Sequence, residues 1–194
     1  DVVVQVSIAA GAKLAQRTLN PRLGIVGGLS VLGSTGVVVP YSCSAWIDSI
    51  RRGVDVARAL GHDHVAGCTG STSERVAREL YGLPETALLD MGDFAGAVLK
   101  YLRRQPLARL TICGGVGKLA KLADGHLDLH SARSRVDVGF LTRLAEQAGA
   151  TAEVAARVAG STTALAAIET CAAAGVPLGD KIAQAARDFA LEVL

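Results

Sequence analysis

Between residues 37 and 113 the chain alternates short apolar runs with amphipathic stretches, and this alternation constrains its fold more than any other feature. Three valines at 37–39 read as a short strand closed by Pro40, after which Ser42 or Ser44 offers an N-cap for a helix to about residue 60. Ile47, Ile50, Val54 and Ala57 form the apolar stripe of that helix. Strands are predicted at 64–67, 86–89 and 107–113, with helices at 71–80 and 93–103 between them. A strand that returns only after a helix-length connection pairs in parallel with its predecessor, because a short hairpin turn is absent. Residues 2–8 alternate weakly and predict an entry strand, and the polar-apolar stretch after it stops at Asn20-Pro21. From Asp137 onward the pattern is helical, with breaks near Gly149, Gly160 and Gly175-Val176-Pro177 and a last helix over 178–193. The fold class implied is α/β, a Rossmann-like and mostly parallel sheet flanked by helices, with a helical C-terminal part. Residues 41–194 form the main domain, and residues 1–40 an entry strand and Gly-rich segment packed on it.

Composition removes several functional classes. The chain has 194 residues, half of them hydrophobic, with 20 basic against 18 acidic side chains and a net charge of +2. A chain of this length and apolar content buries a core and is not disordered. Its charges are interspersed and only 4% of residues are aromatic, so neither a basic footprint nor a stacking platform for nucleic acid is present. Residues 23–47 carry no charge and are long enough to span a bilayer, but five glycines and Pro40 in that stretch argue against a membrane segment. Cys43, Cys68, Cys113 and Cys171 are too widely spaced for a metal knuckle or a redox pair, which suits a reduced, cytoplasmic protein. The sequence opens at Asp1 and its one methionine is Met91, so it reads as part of a longer chain.

Four segments offer chemistry. The first is the turn around Gly67, Cys68, Thr69, Gly70 and Ser71, where a strand enters a helix through glycines and hydroxyls. Free N–H groups at a helix N-terminus attract anionic or polar ligand groups. The following strand ends at Asp90, roughly 20 residues on, the spacing at which Rossmann-type domains hold ribose hydroxyls, with Asp93 as a substitute. The glycine pattern falls short of a dinucleotide fingerprint, and tight turns with a capping Asp90 are the alternative. The second segment is Cys113-Gly114-Gly115-Val116-Gly117-Lys118. A Walker A loop needs glycine where Ile112 stands and Ser or Thr where Leu119 stands, so ATP is not expected, yet Gly114 and Gly115 would face the same crevice and Lys118 and Lys121 its rim. Third, His126, His130, Arg133 and Arg135 would suit a carboxylate-rich ligand. A protein-bound metal is not expected there, since the HExxH glutamate is lacking. Fourth, residues 20–40 carry glycines at 24, 27, 28, 33 and 36 beside Ser34 and Thr35, which permit close approach of a bulky flat ligand or of another segment.

The ordered set made of Asn20-Pro21-Arg22-Leu23-Gly24-Ile25-Val26-Gly27-Gly28 and its continuation to Gly36, the run Gly114-Gly115-Val116-Gly117-Lys118-Leu119-Ala120-Lys121-Leu122-Ala123-Asp124-Gly125, and the pair His130-Ser131 resembles the CbiD family. These are the cobalt-precorrin-5B C(1)-methyltransferases of anaerobic cobalamin biosynthesis. The family commonly has a Pro-Gly-Asn turn where this chain has Cys68-Thr69-Gly70-Ser71, and threonine in place of Leu129. The resemblance implies S-adenosylmethionine as methyl donor and a cobalt-containing corrinoid as acceptor, so cobalt arrives with the substrate and no protein metal ligand is needed. It also implies a further N-terminal domain beyond this chain, and the Ala-rich helices leave room for a homodimer. Under that resemblance Gly67, Thr69, Gly70, Ser71, Asp90, Asp93, Gly114 and Gly115 fall to the cofactor. Lys118, His130, Ser131 and Arg133 fall to the carboxylates of the substrate, Gly33, Ser34 and Thr35 to the macrocycle face, and His130 to proton management. The alternatives are another nucleoside-cofactor enzyme, such as an NAD-dependent reductase, and a non-catalytic binding or assembly domain.

Overall fold

The computed structural model describes residues 2–5, 7–29 and 42–194. The predicted strand over 37–39 and the candidates Gly33, Ser34 and Thr35 lie outside these residues. Three parallel strands, β1 (His64–Cys68), β2 (Leu88–Asp90) and β3 (Arg109–Cys113), form a sheet in the order β2-β1-β3. Helix α2 (Cys43–Ala59) follows a short α1 (Gly11–Ala15) and a 3₁₀ turn at Asn20–Leu23. Helices α3 (Ser71–Tyr81) and α4 (Ala95–Leu102) connect the strands, and α5 (Val116–Ala123) leaves β3. The C-terminal part is α6 (Val138–Gln147), α7 (Ala152–Ala159), α8 (Ala164–Ala173) and α9 (Leu178–Val193). The α/β class and the helical C-terminal part are therefore as the sequence pattern predicts. No helix among the described residues is long and apolar enough to cross a membrane.

Local chemistry explains the boundaries. Ser42 accepts the Ala45 N–H, Asp137 that of Phe140, Thr151 that of Val154 and Thr163 that of Ala166, so four helices begin at side-chain caps. Gly82, Gly149 and Gly175 take positive φ just beyond α3, α6 and α8, which is where a helix end favours glycine. Three strand predictions need correction, and the smallest change is at the one over 107–113, which begins at Arg109, whose N–H reaches the Asp63 carbonyl at 2.9 Å. The described residues of the 2–8 stretch are irregular, and Val2, Val3 and Val4 stand 91%, 91% and 80% exposed, because no neighbouring strand among the described residues offers them a ladder. The strand expected over 86–89 starts at Leu88, since the Ala87 N–H turns back to the Pro84 carbonyl at 3.0 Å and closes a 3₁₀ turn over Glu85–Ala87. Helix α4 likewise starts at Ala95 and not Asp93, because Gly92 is left-handed and the Asp93 carbonyl accepts the Leu129 N–H at 2.8 Å.

Two apolar clusters hold the layers together. One surrounds the sheet and includes Val54, Val65, Leu88, Met91, Val98, Leu99 and Leu122. The other lies among the C-terminal helices around Leu141, Val158, Cys171, Leu178 and Ile182. Helix α9 joins them, giving Leu178 and Ile182 to the second cluster and, a turn or two later, Ala186 and Ala190 to the first. Small residues set the closest approaches. A Cβ on Gly96 would stand 2.9 Å from Leu127 Cβ and 3.3 Å from the Leu127 carbonyl oxygen, which itself accepts the Gly96 N–H at 2.9 Å. This contact lays the 125–134 loop over the start of α4. Replacing Gly96 with Ala should lower stability by about 1–3 kcal/mol through overpacking against backbone. Gly117→Ala, in open space on α5, should raise it by about 0.5–1 kcal/mol through helix propensity. Urea unfolding of both variants checks the contrast, and equal effects would refute the close approach at Gly96.

Candidate functional site

Strand register brings the candidate segments together. Cys68 is opposite Asp90 on β2 and opposite Cys113 on β3, so all three strands stop at one level and their following loops leave from the same sheet edge. The loops are tied to one another by backbone. Thr69 N–H donates to the Cys113 carbonyl at 3.0 Å, and the N–H groups of Met91 and Gly92 donate to the Cys68 carbonyl at 2.9 and 3.2 Å. In open parallel sheets ligands bind beyond this carboxyl edge. Here a cavity of about 780 Å³ opens beyond it, lined among others by Trp46, Thr69, Gly70, Ser71, Glu74 and Asp90, and also by Gly92, Asp93, Lys118 and His130. Seven residues singled out from sequence thus meet at one cavity: Thr69, Gly70, Ser71, Asp90, Asp93, Lys118 and His130.

The other candidates stand elsewhere. Gly67 lies inside β1, where a Cβ would come within 3.2 Å of the Met91 sulfur, and it does not line the cavity. Gly114 makes room for Thr69, whose Cγ2 would be 2.8 Å from a Cβ at that position, and Gly115 is the N-cap of α5. Ser131 is exposed, and Arg133 is 71% exposed with its guanidinium 3.2 Å from Asp128. Lys121, expected at the rim, is buried and donates to the Leu129 carbonyl at 2.9 Å, holding the loop that carries His130. The remaining histidines have structural partners: His62 contacts the Thr86 hydroxyl at 2.8 Å, His64 the Thr111 hydroxyl at 2.9 Å, and His126 lies 3.8 Å from Asp124. Among the described residues no group of three or more His, Cys, Asp or Glu side chains gathers as for a metal ion.

Charges around the cavity are mostly paired. Arg22 grips Glu74 with both terminal nitrogens, at 2.6 and 2.9 Å, and reaches Glu85 through Nε at 3.2 Å. This fork anchors the 3₁₀ turn to α3, and the hydrogen bonds to Glu74 push the Arg22 pKa further up, so the guanidinium is permanently charged. Lys118 lies 2.7 Å from the buried Asp93 Oδ1, as an ion pair and not as a directed hydrogen bond. Asp90 differs. Its backbone carbonyl accepts the Trp46 indole N–H at 2.9 Å, but no described side chain or N–H bonds its carboxylate. Burial raises the Asp90 pKa, Glu74 raises it further, and Arg22 and Lys118 oppose them. Asp90 is therefore a partly desolvated acceptor with open lone pairs. Beside it, α3 begins at Gly70 without a side-chain cap, which leaves first-turn N–H groups toward the same space. The thiol behind the turn is inert, since burial pushes Cys68 up to about 12.

Sequence reasoning passed over Trp46, Arg22, Glu74 and Phe94. Trp46 is the only tryptophan and sits in the first turn of α2, at the level of the strand ends, which is the signal that was available. It packs on Phe94 at 6.1 Å between centroids, and a Cβ on Gly92 would press within 3.1 Å of its ring. Arg22 stands inside the Asn20-Pro21-Arg22 motif, but its partners are 52 and 63 residues away and show only in three dimensions.

Fold and cavity together define an α/β domain with a half-open cavity at the carboxyl edge of its parallel sheet, its apolar walls carrying several polar and charged side chains. The family model described as "CbiD" matches residues 1–40, and that described as "CbiD, C-terminal domain" matches residues 128–194. Proteins from Brucella canis, Brucella suis biovar 1 and Brucella melitensis biotype 2, each named cobalt-precorrin-5B C(1)-methyltransferase, are 57% identical to the chain over 194 residues, covering 100% of it and 53% of their own length. The chain belongs to the CbiD family. It spans about half the length of the curated relatives it matches. No solved structure matches it.

The electrostatics are testable before any ligand is added. Asp90 should titrate above the ordinary aspartate range, and Glu74→Gln should lower its pKa, because one nearby negative charge is removed and Arg22 is released. Carboxyl-carbon NMR titration reads both values. An Asp90 that titrates like an exposed aspartate would contradict the desolvated site.

Proposed function

We propose that this chain carries the methyl-donor site of a cobalt-precorrin-5B C(1)-methyltransferase, with S-adenosylmethionine bound in the cavity at the carboxyl edge of the sheet. The observation that carries the reading is the unpartnered, half-buried Asp90 carboxylate beside the uncapped start of α3. Vicinal ribose hydroxyls are donors that such a carboxylate lacks, and the cofactor's carboxylate suits free N–H groups at 71–73. Trp46, 42% exposed at the cavity wall, offers a flat face to adenine. The name shared by the relatives supports the reaction and a corrinoid acceptor. The part of the relatives' length outside this chain would complete the enzyme, and residues 1–40 would join that part to the 41–194 domain.

When bound, the cofactor supplies an already activated sulfonium methyl group, so the protein has little covalent work. Its residues position and shield. Asp90 would hold the ribose, the start of α3 the amino-acid end, and Thr69, kept in place by Gly114, the turn between them. Lys118 pairs with Asp93 at 2.7 Å, so that Asp90 is the carboxylate left open to the ligand. His130, exposed at the cavity edge, accepts the Ala132 N–H at Nδ1 at 3.2 Å, so its neutral ring carries the proton on Nε2, which is left to donate to a ligand oxygen. Ring carbon attack on a methyl group needs alignment and exclusion of water more than an activated side chain.

Calorimetry with S-adenosylhomocysteine tests the cofactor assignment. Asp90→Asn should weaken binding by about 1–3 kcal/mol. Donor hydroxyls favour the ionised carboxylate, so affinity should be full above the raised pKa of Asp90 and fall as pH drops through it, a slope that Asp90→Asn removes. Binding of NADH without S-adenosylhomocysteine would overturn the reading in favour of a reductase. Binding of neither would favour an assembly domain.

A further inference from the structure

The carboxylates of Glu74, Glu85, Asp90 and Asp93 line the cavity at the sheet edge, and all but Asp90 are paired with a cation. Lys118 serves Asp93, whereas Arg22 serves both Glu74 and Glu85. The Arg22–Glu74 pair is the deeper one, with side chains 21% and 12% exposed, against 62% for Glu85. Both carboxylate oxygens of Glu74 accept from the fork, at 2.6 and 2.9 Å, a two-point geometry that the guanidinium supplies and an ammonium does not.

Arg22 stands ahead of the sheet, on the 3₁₀ turn Asn20–Leu23, and that turn is braced on both sides. Pro21 fixes the backbone at its start, and the buried Asn20 side chain donates to the Gly28 carbonyl at 3.1 Å. The Asn20 carbonyl accepts the Ile25 N–H at 2.9 Å, and left-handed Gly24 closes the turn with its N–H on the Pro21 carbonyl at 3.3 Å. A braced turn presents the long side chain with less entropy left to lose when the fork closes.

Glu74 lies in the first turn of α3, the turn whose free N–H groups face the cavity. Unpaired there, its charge would oppose an anionic group brought to those N–H groups and would disfavour the ionised form of Asp90. The other ionisable groups around Asp90 are Lys118, held by Asp93, then Arg17, Cys43 and His130 on the cavity wall, and the Cys68 and Cys113 thiols, which burial keeps neutral. Arg22 is the cation in contact with Glu74.

We infer that Arg22 is a positioning residue of the donor site: its fork masks the charge of Glu74, so that an anionic ligand end can approach the first turn of α3 and Asp90 faces the ligand as the one uncompensated carboxylate. This rests on the proposed methyl-donor site and adds that its charge balance is set from residues 1–40. Arg22 acts through Glu74, and Asp90 reports it. With Arg22 removed, the Asp90 pKa, already raised by burial and by Glu74, climbs further, and binding that needs the ionised carboxylate is lost at a higher pH.

The test follows S-adenosylhomocysteine binding to the chain by calorimetry across pH, together with the carboxyl-carbon titration of Asp90. Arg22→Gln should weaken binding about tenfold at neutral pH and raise the pH at which affinity falls by about one unit. Glu74→Gln should bind within about threefold of the wild type and move that pH down. Arg22→Gln combined with Glu74→Gln removes both charges and should recover about fivefold over Arg22→Gln alone. A mere anchor gives no such recovery, since the fork is missing from the double variant too. Arg75→Gln, which takes a cation from the exposed Arg75–Glu79 pair of the same helix, should move neither value. If Arg22→Gln binds as the wild type does, or the double variant stays as weak as Arg22→Gln, the masking role is refuted while the donor site stands. Should Arg22→Gln fail to fold, Glu74→Gln decides, and an unmoved pH refutes the role. A wild type that binds no S-adenosylhomocysteine overturns the donor reading, and the inference falls with it.

Discussion

The common ending of the three strands is the constraint on which the rest of the site depends. With Cys68 opposite both Asp90 and Cys113, and its carbonyl accepting from Met91 and Gly92, a slip of one residue in β2 would turn Asp90 to the other side of the sheet. The turn at 69–71, the Asp90–Asp93 stretch and the Gly114–Lys118 loop share one crevice only because this register holds. Glycine at 114 belongs to the same lock, since Thr69 fills the space that a side chain there would take.

Around that crevice the protein neutralises most of its charges and leaves few open. Arg22 is committed to Glu74 and Glu85, Lys118 to Asp93, and Arg133 to Asp128. The Asp90 carboxylate, at that crevice, has no hydrogen-bond or ion-pair partner among the described residues. Buried lysine plays a structural part in this arrangement: Lys121 pins the Leu129 carbonyl and so holds His130 at the cavity edge.

Much of the fold was legible because local chemistry determined it. The four C-terminal helices follow from Asp137, Thr151 and Thr163 as caps and from glycine at the breaks, and the parallel sheet follows from strand-helix alternation. The exceptions are places where a tertiary partner decides. Residues 2–5 and 7–8 have strand-like sequence but no ladder to join among the described residues, and the start of β2 yields to a turn closed on Pro84. For the site, residues next to strand ends were found from sequence because the strand end itself positions them. Trp46, Arg22 and Glu74 were not, since they reach the cavity from a preceding helix, a remote turn and the side of α3. Lys118 and Arg133 looked like free cations in one dimension, and only their folded neighbours reveal them as paired.

The most direct test of the account is a crystal structure of the chain soaked with S-adenosylhomocysteine. The account predicts ribose hydroxyls within hydrogen-bond distance of the Asp90 carboxylate and the amino-acid end at the first turn of α3. A ligand seated between β3 and α9, or one that leaves Asp90 without a partner, would contradict it.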